Sequence, residues 1–273
     1  MFLHYFLFFH NFATRKDNLV KLKSILMSGH SKWSTIKRKK GTADARRSKI
    51  FSKLVKEIQV AVKEQGSDPE ANPRLRLALQ NAKGANMPKD NIQRAINKAD
   101  SEGANFQEVT FEGYAPGGVA VYIECLTDNN LRTVSNIRSN FNKKGGTLGT
   151  NGSLSFLFDR KGVITVPKED IDPEEFELEI IDAGVEEFEI EEEVFIITTS
   201  LEDFSNVERK LEEMGIRPEN AELQRIPTNT KTLDMESSLK VLKMIEEFEE
   251  DDDVQNVYHN LEVTEELMKE IEI

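Results

Sequence analysis

Residues 163–226 read VITVPKEDIDPEEFELEIIDAGVEEFEIEEEVFIITTSLEDFSNVERKLEEMGIRPENAELQRI, and the order of segments in this stretch decides the fold. Short runs rich in Val, Ile, Phe and Thr indicate strands, whereas apolar residues spaced three or four apart indicate helices. The predicted elements are strand 163–166, helix 173–183, strands 187–190 and 194–198, helix 204–214 and strand 222–226. This βαββαβ order is that of the ferredoxin-like split motif. We therefore expect residues 161–228 to form an acidic ferredoxin-like domain.

The segments on either side of this unit predict a second α/β domain. Upstream, the pattern predicts strands 109–114 and 119–126, helix 130–142 and strand 154–158. Downstream, it predicts helix 235–248 and strand 254–258. A six-element ferredoxin-like unit is already complete, so the downstream pair is expected to complete the upstream set. Residues 104–160 plus 229–273 would then form one discontinuous domain, with residues 161–228 inserted into it.

Three short amphipathic helices are predicted before these domains. The first covers residues 44–66, the second begins at Asn72-Pro73 and ends at Gly84, and the third runs from Pro88 to Gly103. On the first helix, Lys49, Lys53, Lys56 and Lys63 lie on the face opposite the apolar residues. Residues 27–103 are therefore predicted to form a basic three-helix bundle. The fold class is α+β: an N-terminal basic bundle followed by two α/β domains, one ferredoxin-like (βαββαβ) and inserted into the other.

Charge is distributed very unevenly along the chain. The 273 residues include 36 Lys and Arg against 49 Asp and Glu, for a formal net charge of -13. Residues 27–103 hold 17 basic and 8 acidic side chains, whereas the chain from residue 104 onward holds 15 basic and 40 acidic ones. A basic segment of this kind predicts a polyanionic partner such as nucleic acid. The acidic domains would repel that partner, orient the molecule and present a surface to a protein partner.

The first 26 residues are treated separately from the fold. Their apolar and aromatic run, residues 1–12, precedes the basic residues, which is the reverse of the order in a secretory signal. An organelle-targeting presequence and a membrane-surface anchor are two interpretations of this segment. We favour a third, in which Met27 is the real start and residues 1–26 are a disordered or artefactual extension outside the fold.

The segment 28–49, SGHSKWSTIKRKKGTADARRSK, is the strongest candidate binding element. It contains eight basic residues, one acidic residue and one Trp, and it leads into a helix with a basic face. Lys and Arg pair with phosphates, and an aromatic ring can stack on an unstacked base. The predicted nucleic-acid contacts are Lys32, Trp33, Lys37, Arg38, Lys39, Lys40, Arg46, Arg47, Lys49, Lys53 and Lys56. The competing interpretation is that these charges are a solvated face and that Trp33 packs on the bundle.

Residue types that carry catalysis or bind metals do not form a recognisable pattern. The glycines of residues 145–152 lack phosphate-loop spacing, and the four His residues lack metal-ligand spacing. Cys125 lies in an apolar strand and is predicted to be a buried structural thiol, and the runs 191–193 and 251–253 are interpreted as solvated carboxylates. We predict a protein without catalytic residues, metal or cofactor. A metal-dependent nuclease and a pure protein-protein adaptor are the alternatives from other functional classes.

Several motifs together resemble those of the YebC/PmpR family. They are Gly29-His30-Ser31-Lys32-Trp33, residues 49–54, Asn72-Pro73-Arg74-Leu75-Arg76, residues 86–92, Glu112-Gly113-Tyr114 with Pro116-Gly117-Gly118, Thr127-Asp128-Asn129 with Arg132-Thr133, and the glycine series of residues 145–153. The resemblance runs from about Met27 to the C-terminus. The sequence departs from the family pattern at Arg38, Ala115 and Asn130-Leu131.

The resemblance implies a three-domain α/β protein of the cytosol that regulates gene expression. Family members are commonly labelled transcriptional regulators, and bacterial and mitochondrial relatives act on translation at the ribosome. It therefore implies a cytoplasmic, non-membrane, DNA-binding regulator that uses its basic N-terminal domain. The alternative is a ribosome- or rRNA-binding translation factor that assists elongation. The residues themselves indicate a nucleic-acid surface and leave DNA and RNA equally open.

Overall fold

The computed structural model describes residues 43–102, 105–169 and 171–271. In chain order these residues form helices α1 (Ala43–Gln65), α2 (Pro73–Gly84) and α3 (Lys89–Glu102), strands β1 (Gln107–Ala115) and β2 (Val119–Thr127), helix α4 (Asn130–Lys143), strands β3 (Thr147–Leu148) and β4 (Phe158–Pro167), helix α5 (Pro173–Ile181), strands β5 (Val185–Ile190) and β6 (Val194–Thr199), helix α6 (Phe204–Glu213), strand β7 (Asn220–Pro227), helix α7 (Met235–Glu250), strand β8 (Val254–His259) and helix α8 (Glu265–Ile271). The predicted α+β fold class is confirmed. Among the described residues, no helix is both long enough and apolar enough to cross a membrane.

Helices α1, α2 and α3 form the helical domain. Its core consists of small and branched apolar side chains, including Ile58, Leu75 and Ala82. Buried Asn72 connects the first two helices, because its side chain accepts a hydrogen bond from Leu75 N (2.9 Å) as the cap of α2 and also donates to a carbonyl of α1. A capping side chain of this kind satisfies an amide that has no partner within its own helix.

The central domain contains a four-stranded antiparallel sheet in the order β3-β1-β2-β8. Strand β8 pairs with β2, with Val121 opposite His259, although the whole ferredoxin-like unit lies between these strands in the chain. Residues from α4, α7 and α8 cover one face of the sheet and form its core around Phe141 and Phe248. The late strand thus returns to the early sheet, as the predicted insertion requires.

The ferredoxin-like domain contains the second sheet, in the order β5-β6-β4-β7. Its pairs are antiparallel, and α5 and α6 pack on one face through a core that includes Phe176, Phe195 and Leu211. The predicted βαββαβ order is confirmed, and helix α5 ends two residues earlier than the predicted helix 173–183. Strand β4 runs without a break through Arg160, where the sequence pattern had ended the first part of the discontinuous domain.

One predicted strand, 154–158, is wrong. Ser155–Leu157 form a 3₁₀ turn, and β4 begins only at Phe158. The physical reason is Glu112, whose buried carboxylate accepts hydrogen bonds from Gly152 N (2.6 Å) and Leu154 N (2.5 Å). These amides bond to a side chain instead of a neighbouring strand, so an apolar run typical of a strand folds as a turn. Strand β3 and helix α8 are further elements that the sequence pattern did not predict.

Candidate nucleic-acid interface

The eleven predicted contact residues divide into two sets. Six of them lie outside the described part of the chain, in the basic segment 28–42 before α1, which we call the arm: Lys32, Trp33, Lys37, Arg38, Lys39 and Lys40. The other five, Arg46, Arg47, Lys49, Lys53 and Lys56, lie on α1. For the first of them, Arg46, the structure describes the backbone only. The described structure therefore places only the α1 portion of the predicted interface.

The middle of the basic face of α1 contacts residues 252–255, the turn between α7 and β8 together with the start of β8, which we call the α7–β8 turn. Lys53 Nζ donates a hydrogen bond to Gln255 O at 2.7 Å. Lys56 Nζ donates to Asp252 O at 2.6 Å and lies 3.4 Å from Asp253 Oδ1. A lysine face that binds phosphate and one that docks on an acidic turn have the same sequence pattern. Two of the predicted contact residues thus make intramolecular contacts, and their charges are directed toward the central domain.

Asp253 is the centre of this contact, and it is 3% exposed. Its Oδ2 accepts hydrogen bonds from Arg132 (2.7 Å), Thr133 Oγ1 (2.9 Å) and Thr127 Oγ1 (3.1 Å), while Lys56 approaches Oδ1. Burial alone would raise the pKa of this carboxyl, but the hydrogen bonds from Arg132 and Thr133 and the charge of Lys56 hold its pKa below the ordinary value. The interpretation of residues 251–253 as a solvated run is wrong for Asp253.

Arg47 and Lys49 lie nearer the start of α1, where it leaves the apolar core. Arg47 is exposed, its guanidinium lies 5.2 Å from the centre of the Phe51 ring, and it donates to Asn86 O at 3.3 Å. Lys49 is partly exposed. This end of the helix is also where the basic arm joins the domain. The two residues therefore extend the arm's charge onto the folded surface.

The helical domain presents further exposed cations that were not among the predicted contacts, although Lys63 had been placed on the basic face of α1. Lys63, Lys83, Lys89 and Lys98 are exposed and form no ion pair with any residue in the described ranges. Arg74 differs, because it pairs with Glu57, Glu64 and Glu108. These lysines could have been found from their positions opposite the apolar faces of their helices. Residues 43–102 contain 12 basic and 8 acidic side chains, so the folded helices add to the positive charge of the arm.

Two observations on the described residues concern the thiol and the metal-ligand groups. Cys125 is buried as predicted, and burial raises the pKa of its thiol to about 12, which keeps it protonated and unreactive at neutral pH. Within the residues that the structure describes, no group of three or more His, Cys, Asp or Glu is placed to hold a metal ion. The described surface offers charge and hydrogen bonding rather than an acid-base or ligand set.

The fold and surface define a class of α+β protein in which a basic helical domain precedes two acidic domains. Each acidic domain contains one antiparallel sheet, and one of these domains is inserted into the other. Residues 31–102 match the model of the TACO1/YebC protein N-terminal domain, and residues 106–261 match that of the TACO1/YebC second and third domain. The chain belongs to the TACO1/YebC family. The resemblance carried by its motifs is confirmed.

Individual relatives agree with this assignment. A protein of Rubrobacter xylanophilus named "Probable transcriptional regulatory protein" is 52% identical over 248 residues, which cover 90% of this chain and 99% of the relative. A protein with the same name from Amoebophilus asiaticus is 53% identical over 239 residues, or 86% of this chain and 98% of the relative. The crystal structure of a conserved hypothetical protein from Aquifex aeolicus superposes with a TM-score of 0.74 at 47% identity, covering 80% of this chain and 91% of that one.

Proposed function

We propose that this protein is a nucleic-acid-binding regulator of gene expression that binds DNA through its basic N-terminal domain. The observation that carries the proposal is the group of exposed lysines on the helical domain that have no acidic partner among the described residues. Unpaired surface cations release condensed counterions when they neutralise phosphates, and this release drives association. The names of the relatives, which call them transcriptional regulatory proteins, support a regulatory role.

The charges that make the proposed contact come from the arm, from the start of α1 and from the exposed Lys63, Lys83, Lys89 and Lys98. The arm supplies Lys32, Lys37, Arg38, Lys39 and Lys40 with no acidic residue between positions 27 and 42. Arg47 and Lys49 continue this charge onto α1. Lys53 and Lys56 orient the helical domain on the central domain through their contacts with the α7–β8 turn. In this arrangement the acidic sheets limit nonspecific adhesion, because they repel the same phosphates that the basic domain attracts.

The test is the salt dependence of binding to a labelled duplex DNA. If about five phosphates are contacted, a plot of log affinity against log salt concentration should have a slope of about -4.5 on duplex DNA, or about -3.5 on a single strand. A variant with Lys37, Arg38, Lys39 and Lys40 replaced by Gln should bind more weakly and show a shallower slope. Replacing Lys240 and Lys243 on α7 by Gln is the control and should change neither quantity. Affinity that does not respond to salt would refute the proposal.

The same series separates transcription from translation. Co-sedimentation of the wild-type protein with ribosomes is measured at the salt concentrations of the DNA titration. Binding to duplex DNA without ribosome co-sedimentation supports the proposed DNA-binding role. Ribosome binding that persists where DNA binding has disappeared would contradict that role and identify the partner as ribosomal RNA or protein.

A further inference from the structure

Helix α4 differs in charge from the four helices that follow it in the chain. Its sequence, NLRTVSNIRSNFNK, contains three basic residues and no acidic residue. Each of the four later helices, α5, α6, α7 and α8, carries more acidic than basic residues. A positive helix in a part of the chain with a large negative net charge indicates a local role for that charge.

The positive charge of α4 lies on its solvent face. Thr133, Ile137 and Phe141 are buried against the sheet, at the i, i+4 and i+8 positions of one face. The opposite and flanking positions are exposed: Leu131, Ser135, Arg138, Asn142 and Lys143. Leu131 is 84% exposed at the start of this face, and short hydroxyl and amide side chains accompany the two cations. We name these five residues the α4 face.

The two cations of the α4 face differ in their pairing from other basic residues nearby. Arg132 pairs with Asp128 and Asp253, and Lys144 Nζ contacts Glu247 at 2.5 Å. Arg138 and Lys143 make no ion pair with any residue of ranges 43–102, 105–169 and 171–271. Arg132 and Lys144 thus stabilise the domain, whereas Arg138 and Lys143 of the α4 face are available to an external anion.

The start of α4 lies close to the helical domain. Arg132, in the first turn of α4, and Lys56, in the middle of α1, both approach Asp253 Oδ1, at 2.9 Å and 3.4 Å. The start of α4 is therefore next to the basic face of α1. At about 1.5 Å per residue, α4 is about 21 Å long, which matches roughly six base-pair steps of a duplex. A nucleic acid bound to the helical domain could continue along this helix.

We propose that the α4 face is a second nucleic-acid contact surface, in which Arg138 and Lys143 bind backbone phosphates and Ser135 and Asn142 donate hydrogen bonds to them. This inference rests on the proposed function and extends it beyond the N-terminal domain. Such contacts position the protein on the backbone and are independent of base sequence. They would also give the acidic half of the chain, which otherwise repels phosphates, one surface that binds a nucleic-acid backbone.

The first experiment compares full-length Arg138→Gln/Lys143→Gln with wild type, using labelled duplex DNA and labelled single-stranded RNA of the same sequence. We expect affinity to fall about tenfold, and the magnitude of the salt slope on duplex DNA to fall by about 2, because two phosphates are no longer neutralised. Arg209→Gln/Lys269→Gln is the matched control, because it removes one exposed Arg and one exposed Lys from α6 and α8. The control should bind like wild type, and both variants should unfold at the wild-type temperature.

A second measurement does not depend on removing charge. A photo-crosslinking amino acid at Leu131 should form a covalent adduct with the bound probe. The same group at Leu178, which is 73% exposed on α5 of the ferredoxin-like domain, should not. Adducts at both positions, or at Leu178 alone, would overturn the inference.

The arm variant described above separates this inference from the proposed function. Unchanged affinity and slope in Arg138→Gln/Lys143→Gln, together with weakened binding by the arm variant, would overturn the α4 face and leave the proposed function intact. Weakened binding in both variants supports the α4 face as an extension of the N-terminal interface. If wild type binds neither probe in a salt-dependent way, the proposed function fails, and the inference fails with it.

Discussion

The helical domain and the ferredoxin-like domain contact the central domain through junctions of opposite character. The ionic junction consists of Lys53, Lys56, Arg132 and Asp253, and the last of these is a buried carboxylate held by cations and hydroxyls. The aromatic junction consists of Tyr122, Glu124, Phe158, Arg225 and Tyr258. There the Arg225 guanidinium lies 4.0 Å from the centre of the Tyr122 ring, and Tyr122 packs edge-on against Phe158 at 6.2 Å.

The difference shows how each junction should respond to the loss of one side chain. A buried charge that loses its counter-charge carries an uncompensated desolvation cost. A junction with a large apolar contact area keeps most of its stabilisation when one polar group is removed. The ionic junction should therefore be the more sensitive of the two to the loss of one side chain.

The largest effect is expected from Asp253→Asn. This change removes the charge that Arg132 and Lys56 share, while Arg132 keeps its ion pair with Asp128 and is exposed. We expect the free energy of unfolding in urea to fall by about 2 to 3 kcal/mol, because charged hydrogen bonds to a buried carboxylate are lost. Asp252→Asn is the control, since its side chain is exposed and only its backbone carbonyl binds Lys56, and it should change stability by less than about 0.5 kcal/mol. Equal losses in the two variants would contradict this account of the junction.

The same carboxylate predicts a dependence on acid pH. Because the pKa of Asp253 is held below its ordinary value in the folded state, its stabilising contribution is complete above the unfolded pKa of about 4. That contribution disappears as the pH falls through the folded pKa. Wild type should therefore lose unfolding free energy more steeply than Asp253→Asn between about pH 5 and about pH 2, as followed by urea unfolding. Parallel curves would rule out this linkage.

A smaller effect is expected at the aromatic junction from Arg225→Gln. The change removes the contact with the Tyr122 ring and the ion pair with Glu124 at 2.9 Å, but it leaves the apolar packing of Phe158 in place. We expect a decrease of about 1 to 2 kcal/mol in the free energy of unfolding. Arg217→Gln, at an exposed position before β7, is the control and should be close to neutral. A decrease as large as that of Asp253→Asn would remove the contrast between the junctions.

A direct contact between the helical and ferredoxin-like domains should be of similar or slightly lower strength. The Asn81 side chain donates to Ala221 O at 2.7 Å and accepts from Ala221 N at 2.9 Å, so it serves as a strand partner for edge strand β7. Asn81→Ala should cost about 1 kcal/mol and speed hydrogen exchange at the Ala221 amide. Asn97→Ala, on the exposed face of α3, is the control. Unchanged exchange at Ala221 would show that the contact is not formed in solution.

The smallest effect is expected from Glu208→Gln on α6. Burial raises the pKa of Glu208 to about 6, and the nearby charge of Arg76 offsets only part of that rise. The unfolded pKa of a glutamate is about 4.3, so this carboxyl releases its proton less readily in the folded state. The folded state therefore loses stability as the pH rises from about 4 to about 6, and the loss remains at higher pH. Glu208→Gln should therefore be more stable above about pH 6, by less than about 1 kcal/mol because the site is partly exposed. Glu212→Gln, whose side chain is exposed, should not show this gain in urea unfolding at about pH 8.

Periodicity in the sequence was sufficient to predict most secondary structure, and particular exceptions show why the rest was not accessible. The βαββαβ order followed from alternating and helical apolar patterns, because those patterns record which side chains must leave water. Strand 154–158 failed because a distant carboxylate, Glu112, binds the amides at its start. Strand β3 has two residues, which is too short for a periodic signal.

The candidate nucleic-acid interface was likewise predictable from the sequence only in part. The sequence identified which end of the chain is basic and which face of α1 carries lysines. It did not reveal that Lys53 and Lys56 meet the α7–β8 turn, about two hundred residues later. Nor did it reveal that the third aspartate of residues 251–253 is buried at that contact. A local charge pattern carries no record of a partner that is distant along the chain.

The sequence by itself determined the fold class, the order of elements, the buried thiol and the separation of a basic leading segment from an acidic remainder. These properties depend on local periodicity and on composition, which neighbouring residues encode. Only the tertiary structure decided which cations are neutralised within the molecule and which remain on its surface, as with Lys56 against Arg138. Coulomb attraction and burial act over distances in space, so the fate of each charge depends on how the three domains pack.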